Sequence, residues 1–393
     1  MPSAIVVTPF RPSAIGHGGD HRTYQIVKDL ELIVGEGGVA VIEVGRGQEL
    51  VYAGRHLRPR LSFTRRVARR VALVLENPLT LVARNTFSAK CFSHPEWLSA
   101  YKEIVSAAET PRVCVVEHAG LVDLVQVNQA LGIPTVACVQ NLETLDTANF
   151  FSPGRRTALA AGVDFANELR ALSRCREQLY ISRVEAALMR GLGAPSHYYP
   201  YRPVGEIRGA LESIREAREA RGAAEGVFLV LGTATHRTTE ESMRWLLDGV
   251  RRNGLPPGAQ VVVCGLGTEE LTASVSHPSI QVRGWVEQGE LVQLLTTCRA
   301  VLVPQRSGFG ALTRLPEFAC AGVPMIVSKH PLAALDTPPG IEVAADTYES
   351  WYAKMAAARA TTPLVSVADY SAWETRQSRT LEVVTRSLLE ESF

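Results

Sequence analysis

The organisation of this chain is clearest around the run Ser307-Gly308-Phe309-Gly310-Ala311-Leu312-Thr313-Arg314-Leu315-Pro316-Glu317. An apolar strand over 300–303 leads into this glycine loop, and the loop leads into a predicted helix that Gly322 ends. Arg314 and Glu317 lie in the first turn of that helix. Backbone N–H groups and an arginine suit a diphosphate, while a carboxylate accepts hydrogen bonds from a ribose diol. The run therefore predicts a site for a nucleotide-linked ligand.

Apolar runs and helical periodicity alternate on both sides of this site. The predicted strands are 4–7, 39–44, 113–116, 135–139 and 179–182, then 227–231, 261–264, 280–282, 300–303 and 325–327. Helices are predicted between them, including 21–34, 121–131 and 372–389. Continuous apolar strands that alternate with helices are typical of parallel sheets covered on both faces. We therefore predict an α/β protein with two tandem doubly wound Rossmann-like domains facing a central cleft.

Length and composition agree with two globular domains. A chain of 393 residues is longer than a domain with a single hydrophobic core usually is. Periodicity breaks at 198–203, which predicts domains over 1–203 and 204–371. The 41 Lys and Arg residues nearly balance the 40 Asp and Glu residues. The net charge therefore gives no reason to expect nucleic acid or a membrane as a partner. The seven cysteines include no C-x-x-C pair and predict buried free thiols. No targeting segment or membrane span is recognisable, so we expect a cytoplasmic protein.

Four further features lie at predicted strand ends or helix starts, where open α/β sheets bind ligands. Asp20 follows the pair Gly18-Gly19 and is either a helix N-cap or a general base. His118 is either structural or a sugar-contacting and proton-shuttling group. Arg237 lies just before a helix that a Thr238–Glu241 capping box starts, and is either a surface residue or a diphosphate clamp. Gly265 belongs to a Gly-x-Gly turn that lacks the third glycine of a dinucleotide fingerprint.

The chain also contains a basic segment but lacks the usual metal-ligand patterns. A predicted amphipathic helix places Arg65, Arg66, Arg69 and Arg70 on one stripe. It is either a solvated helix face or a contact for anionic lipid or a phosphorylated acceptor, which would make the protein peripheral to a membrane. No His-x-x-x-His, His/Cys cluster or Asp-x-Asp pair is present, so we expect no metal.

These motifs together resemble the GT-B nucleotide-sugar glycosyltransferases, especially the retaining family 4 group. The run from Ser307 to Pro324 is similar to the family pattern Gly-x-Gly-x-x-x-(Lys/Arg)-x-x-Glu-x-x-Ala-x-Gly-x-Pro, and 232–241 resembles the family's Gly-(Ser/Thr)-x-x-x-His-Arg opening. Residues 371–373 resemble the start of a C-terminal helix, 372–393, that crosses back to the first domain. The resemblance implies an acceptor-binding first domain, a donor-binding second domain, and a nucleoside-diphosphate sugar as co-substrate without other cofactors.

The resemblance also implies roles for individual residues. Glu317 matches the ribose-binding carboxylate, and His118 and Asp20 are the catalytic candidates. The other donor-binding candidates are Gly18, Gly19, Arg237, Gly265, Gly308, Phe309, Gly310 and Arg314. One departure is clear: many members carry a sugar-contacting Glu eight residues before the ribose carboxylate, where this chain has Phe309. We therefore expect a different mode of sugar recognition.

Three functions remain open from sequence. The leading hypothesis is a metal-independent, retaining glycosyltransferase of the hexosyltransferase type that uses a UDP- or GDP-sugar. A nucleotide-sugar 2-epimerase shares the fold but needs carboxylates to abstract and return a proton, and Phe309 removes one candidate position. The third is a catalytically silent protein that binds a nucleotide sugar or partners an active transferase.

Overall fold

The computed structural model describes residues 3–44, 50–57, 71, 95–107, 113–118, 121, 124–150, 155–221, 226–272, 277–361, 364–377 and 379–391. The chain divides into two compact units. The first comprises Met1–Tyr201, Phe309–Ala311 and Ser378–Phe393, and the second comprises Arg202–Gly308 and Leu312–Gln377. The change of unit after Tyr201 falls two residues before the predicted boundary. The stripe of Arg65, Arg66, Arg69 and Arg70 lies outside the described residues.

The first unit is built on an eight-stranded sheet in the order β4-β3-β2-β1-β5-β6-β7-β8. Its strands are β1 (Ala4–Thr8), β2 (Val39–Val44), β3 (Leu50–Tyr52), β4 (Arg55–Leu57), β5 (Val113–Glu117), β6 (Thr135–Val139), β7 (Glu177–Tyr180) and β8 (Ser196–Tyr198). All pairings are parallel except those of β3 with β2 and β4. Its helices are α1 (Gly18–Val34), α2 (Pro95–Ala107), α3 (Val125–Ala130), α4 (Glu143–Phe150), α5 (Arg155–Leu172) and α6 (Arg183–Gly191).

Strand β1 explains why the apolar runs are continuous. Ile5 and Val7 pack into one hydrophobic cluster, and Ala4 and Val6 pack into another on the opposite face. Successive side chains of a strand point to opposite faces, so a sheet covered on both sides needs apolar residues at every position. Burying one such side chain contributes roughly 1.5–3 kcal/mol.

The second unit carries a six-stranded, wholly parallel sheet in the order β11-β10-β9-β12-β13-β14. Its strands are β9 (Val227–Leu231), β10 (Gln260–Cys264), β11 (Ile280–Gly284), β12 (Ala300–Val303), β13 (Met325–Ser328) and β14 (Ile341–Ala344). Its helices are α7 (Gly205–Arg221), α8 (Arg237–Asn253), α9 (Gln288–Thr297), α10 (Arg314–Cys320), α11 (Lys329–Leu332), α12 (Tyr348–Thr361) and α13 (Val367–Thr375). Helix α14 (Thr380–Glu390) returns to the first unit and packs on α1.

The two sheets confirm the predicted α/β class and the predicted strands. The C-terminal helix was predicted as continuous, but α13 ends at Thr375 and α14 begins at Thr380. The six described cysteines are buried and free, as predicted, while Cys91 lies outside the described residues. Among the described helices, none combines the length and apolar character that crossing a membrane requires.

Candidate functional site

The carboxyl edge of the second sheet carries the predicted nucleotide site. Strand β9 lies between β10 and β12. From β9 the chain first adds β10 and β11 on one side, and then crosses over to add β12 and the later strands on the other side. Such a topological switch point is where open α/β sheets bind ligands. The loop after β9 begins at Gly232, and the loop after β12 contains Gly308. The local fold therefore brings two glycine-bearing loops to the crevice in which a ligand is expected.

Arg314 projects into this switch point. It is the first residue of α10, and its Nη1 donates to the Leu231 carbonyl oxygen at 2.7 Å. Its Nε is buried without a hydrogen-bond partner. Burial lowers the pKa of Arg314 to about 10, although the Glu317 carboxylate acts in the opposite direction. Within the described residues Arg314 forms no ion pair. A cation with unused donors at this position suits an anionic ligand.

Two glycines allow Arg314 to lie against the end of β9. A Cβ at Gly232 would stand 2.6 Å from the Arg314 Nη1 atom. A Cβ at Gly265, where φ is +128°, would stand 2.0 Å from the Gly232 carbonyl oxygen. Both distances are far shorter than a van der Waals contact. Gly265 therefore has a packing role beneath Gly232, and Gly232 is a site residue that the sequence survey did not select.

The loop after β12 is held by three side chains. Gln305 Nε2 donates to the Ser307 carbonyl oxygen at 2.5 Å, and Ser328 Oγ donates to the Gln305 carbonyl oxygen. His330 Nε2 lies 3.0 Å from the Gly308 carbonyl oxygen. Gly308 itself has a φ of +122°, a conformation that favours glycine. The predicted glycine loop is thus held by Gln305, which follows β12, and by Ser328 and His330 at the end of β13.

Glu317 lies three residues after Arg314, on the same face of α10. Its side chain is partly exposed, as a ligand-binding carboxylate requires. Phe309, at the position where the family often has a sugar-contacting Glu, is 43% exposed. An exposed aromatic ring offers an apolar face to a sugar, but no carboxylate.

The prediction of a Thr238–Glu241 capping box was wrong. Helix α8 begins at Arg237 with His236 as its N-cap, so Thr238 lies inside the first turn. Arg237 Nε instead pairs with Glu241 Oε1 at 2.6 Å, one turn along the helix, and both side chains are about half exposed. The extended backbone of His236 makes it the N-cap, two residues before the predicted N-cap Thr238. Arg237 therefore differs from Arg314, because its charge already has a partner.

The carboxyl edge of the first sheet has a different chemistry. His118, which follows β5, has a φ of +85°, an uncommon conformation for a residue other than glycine. Its Nε2 lies 2.7 Å from Glu143 Oε1. Burial lowers the pKa of His118, but the Glu143 carboxylate, helped by Glu117 and Glu168, outweighs burial and raises it. In this pairing His118 is better suited to donate a hydrogen bond than to accept a proton.

Glu117 joins the ends of three strands beneath His118. It is fully buried, and its Oε2 accepts hydrogen bonds from the Thr8 and Thr23 hydroxyls at 2.7 and 2.5 Å. Its Oε1 accepts from Gln140 Nε2 at 2.6 Å. Burial raises the pKa of Glu117, and these three donors act against that rise. The sequence places Glu117 and Gln140 at the same sheet edge, but it could not indicate Thr8 and Thr23, which lie far from Glu117 along the chain.

The glycine pair of the first unit belongs to a helix cap. Helix α1 begins at Gly18 rather than at His21, and His17 is its N-cap. The His17 ring accepts from the Gly19 N–H at 3.1 Å, and Asp20 Oδ2 accepts from the His17 N–H at 3.0 Å. The N-cap interpretation of Asp20 was therefore wrong: Asp20 is the third-residue partner of a capping box. This gives Asp20 a structural task that needs no ligand.

Three more carboxyl groups surround the segment after β6. Burial raises the pKa of Asp146 to about 6 and the pKa values of Glu168 and Glu185 to about 7. Glu168 accepts the N–H groups of Glu143 and Thr144 at 2.9 and 3.1 Å at the start of α4. The edge is therefore rich in carboxyl groups whose ionised forms burial disfavours. Among the described residues, no three His, Cys, Asp or Glu side chains are arranged to hold a metal ion.

Comparison with known proteins identifies solved structures with a similar fold, but at low sequence identity. No family model matches the sequence, and no curated protein matches it. Trehalose-6-phosphate synthase from Burkholderia multivorans is 12% identical, with a TM-score of 0.62 over 100% of this chain and 97% of that one. Sucrose-phosphate synthase from Thermosynechococcus elongatus is 12% identical, with a TM-score of 0.63 over 100% and 99%. Anabaena HepE is 11% identical, with a TM-score of 0.59 over 99% and 100%. This likeness confirms the predicted GT-B fold.

Proposed function

We propose that this protein is a glycosyltransferase that moves a sugar from a nucleoside-diphosphate sugar to an acceptor. The observation that carries the proposal is Arg314, a largely buried cation with an unpartnered Nε at the switch point of the second sheet. Among the described residues Arg314 forms no ion pair, and Glu317 only partly offsets the cost of its burial. A largely buried cation is costly to the fold unless an anion, such as that of a ligand, neutralises it. A diphosphate supplies it in the fold position where such ligands bind.

The remaining roles follow from the chemistry of the same edge. Arg314 and the backbone around Gly308 would stabilise the charge of the departing diphosphate, and Glu317 would accept the ribose hydroxyls. The bond from the anomeric carbon to the diphosphate oxygen breaks, and a bond from that carbon to an acceptor hydroxyl oxygen forms. The hydroxyl proton leaves with the diphosphate or to a base. We propose that the reaction retains configuration and needs neither metal nor cofactor, as the family resemblance implies.

What the structural neighbours bind supports the donor class. Anabaena HepE was solved in complex with UDP and glucose. A trehalose-phosphate synthase from Burkholderia xenovorans, described as UDP-forming, was solved with glucose-6-phosphate. By analogy we propose a UDP- or GDP-hexose donor on the second unit and an acceptor on the first. His118 and Asp20 remain the proposed catalytic residues, and Gly18 and Gly19 remain proposed contributors to binding.

A thermal-shift screen followed by a turnover assay tests the proposal. UDP, GDP and dTDP and their hexose conjugates would be screened, and the best donor incubated with a panel of acceptors while free nucleoside diphosphate is quantified. We expect one nucleotide family to raise the melting temperature, and acceptor-dependent release of diphosphate. Isomerisation of the free donor would indicate the epimerase. Binding with no turnover across the panel would indicate the silent protein, and no binding at all would contradict the donor site.

A further inference from the structure

Within the first unit, one buried carboxyl group holds a residue of the glycine loop. Glu185 is 3% exposed and lies in the first turn of α6, where Ser182 is the N-cap. Its Oε1 accepts the Gly310 N–H at 3.0 Å and the Leu142 N–H at 3.3 Å. Gly310 belongs to the three-residue segment 309–311 that packs with this unit. The contact joins residues 125 positions apart.

The other oxygen of Glu185 shows that the site is not optimised for stability alone. Its Oε2 is buried and has no hydrogen-bond partner. Glu168, a similarly buried carboxyl group of the same unit, uses both of its oxygens for hydrogen bonds. A half-satisfied buried carboxyl group destabilises a fold. The presence of Glu185 at this buried position is explained if its hydrogen bond with Gly310 holds the loop in place.

The backbone conformation of Gly310 and its lack of a side chain both allow this contact. Its φ is +74°, and a Cβ would stand 2.9 Å from the Gln140 carbonyl oxygen. The residue therefore has to be glycine both for its backbone conformation and for its close approach to the segment after β6. The chain runs from Gly308, whose carbonyl oxygen His330 contacts, through Gly310 to Arg314. Fixing Gly310 therefore restricts both the loop and the approach to α10.

We propose that Glu185 is a positioning residue that holds segment 309–311 in its ligand-ready conformation by accepting the Gly310 N–H. This inference rests on the proposed function of the loop. The bond is strongest when Glu185 is ionised, because a carboxylate accepts more strongly than a neutral acid. Burial raises the pKa of Glu185 to about 7, and Glu168 from α5 and Asp146 from α4 add to that rise. Tyr180 from β7 also interacts with the carboxyl group. Loop anchoring is therefore expected to strengthen as the pH rises from 6 to 8.

Hydrogen–deuterium exchange of the full-length, ligand-free protein tests the contact directly. Loss of a hydrogen bond to a charged acceptor should accelerate exchange of the peptide covering 306–313 by about 10-fold or more in Glu185→Ala. Glu382→Gln, at a partly exposed carboxylate of α14 in the same unit, is the control and should leave this peptide unchanged. If Glu185→Ala does not fold, Glu185→Gln replaces it, with a smaller acceleration because an amide oxygen still accepts. Wild-type exchange of the loop in a folded Glu185 variant would overturn the proposal.

A second readout separates positioning from a purely structural role. With the best nucleotide of the screen, wild-type Kd should improve between pH 6 and pH 8. Glu185→Gln should reduce that dependence to the part that ionisation of the phosphate itself contributes, while Glu382→Gln should keep the wild-type profile. An unchanged pH profile in Glu185→Gln would contradict the proposal. Failure of the proposed function is distinguishable, because no nucleotide would then bind to wild type although the exchange experiment still reports on the contact.

Discussion

The carboxyl edges of the two sheets share one architecture and carry opposite chemistry. The edge of the second sheet presents Arg314, with an unpartnered Nε and two glycines that make room for it. The edge of the first sheet presents His118 paired with Glu143, above a buried Glu117. We propose that the edge of the second sheet binds a diphosphate, and that the carboxyl-rich edge of the first sheet suits hydroxyl groups. The comparison teaches that the side chains at the strand ends, rather than the shared architecture, distinguish the two units.

The largest expected effect concerns Glu317. Glu317→Ala should abolish nucleotide binding, because the ribose diol loses its acceptor and the charge beside Arg314 changes. Calorimetric titration of the best nucleotide measures this, with circular dichroism to establish that the variant is folded. Glu382→Ala, a partly exposed carboxylate on α14 in the first unit, is the control and should bind like wild type. Unchanged affinity in Glu317→Ala would remove the ribose role.

Gly232→Ala should weaken nucleotide binding by about 10-fold, because the added methyl group displaces the Arg314 guanidinium from the end of β9. Gly289→Ala is the control, since an added Cβ at Gly289 meets nothing within 4 Å. Both variants would be titrated with the same nucleotide. Equal affinity of Gly232→Ala and wild type would show that Arg314 does not need its present position.

The acidic edge makes the stability of the first unit depend on pH. The pKa of Glu168 is raised to about 7 from an ordinary value of 4.5, so between these values the folded state binds more protons than the unfolded state. Stability therefore falls as the pH rises through this range, by roughly 3 kcal/mol at most for Glu168. Asp146 and Glu185 act in the same direction. The raised pKa of His118 does too, because its contribution is present below its unfolded pKa and is lost above its folded one.

Thermal unfolding between pH 5 and pH 8 measures this dependence. The transition of the first unit should move to lower temperature as the pH rises, and Glu168→Gln should flatten the slope. A melting temperature that rises across the same range would contradict the sign of these pKa shifts. It would also remove the contrast between the carboxyl-rich edge of the first sheet and the Arg314 edge of the second sheet.

The smallest expected effect is that of Arg237. Its exposed pair with Glu241 already satisfies its charge, so Arg237→Gln should change nucleotide affinity by less than about 3-fold. Arg251→Gln, at the other end of α8, is the matched control. A loss comparable with that of Glu317→Ala would show that Arg237 leaves Glu241 to bind the ligand, and that the second edge uses two cations.

The sequence allowed the main strands and the strand–loop–helix unit around Gly308 and Arg314 to be predicted, because both depend on local signals. Continuous apolar runs identify buried parallel strands, and the Gly308-to-Glu317 spacing identifies a loop followed by a helix. The helix starts at Gly18 and Arg237 were missed, because extended backbone at His17 and His236 decides them. Strands β3, β4 and β8 have three residues each, which is too few for a pattern.

The supporting contacts of the site were beyond prediction for a different reason. Glu185 meets Gly310, and Glu117 meets Thr8 and Gln140, only when the folded chain brings these distant residues together. Gly232 was quoted in the family motif, but its close approach to Arg314 is a three-dimensional property. Sequence patterns therefore identified the residues that carry the proposed chemistry, and the structure identified the residues that hold them.

The central claim is that Arg314 makes the edge of the second sheet a diphosphate site. Calorimetric titration of UDP and uridine, or of the matching pair for the preferred base, against wild type and Arg314→Gln tests it most directly. We predict that the variant loses about 10- to 100-fold in diphosphate affinity and less than about 2-fold in nucleoside affinity. Unchanged diphosphate affinity, or an equal loss for both ligands, would contradict the claim.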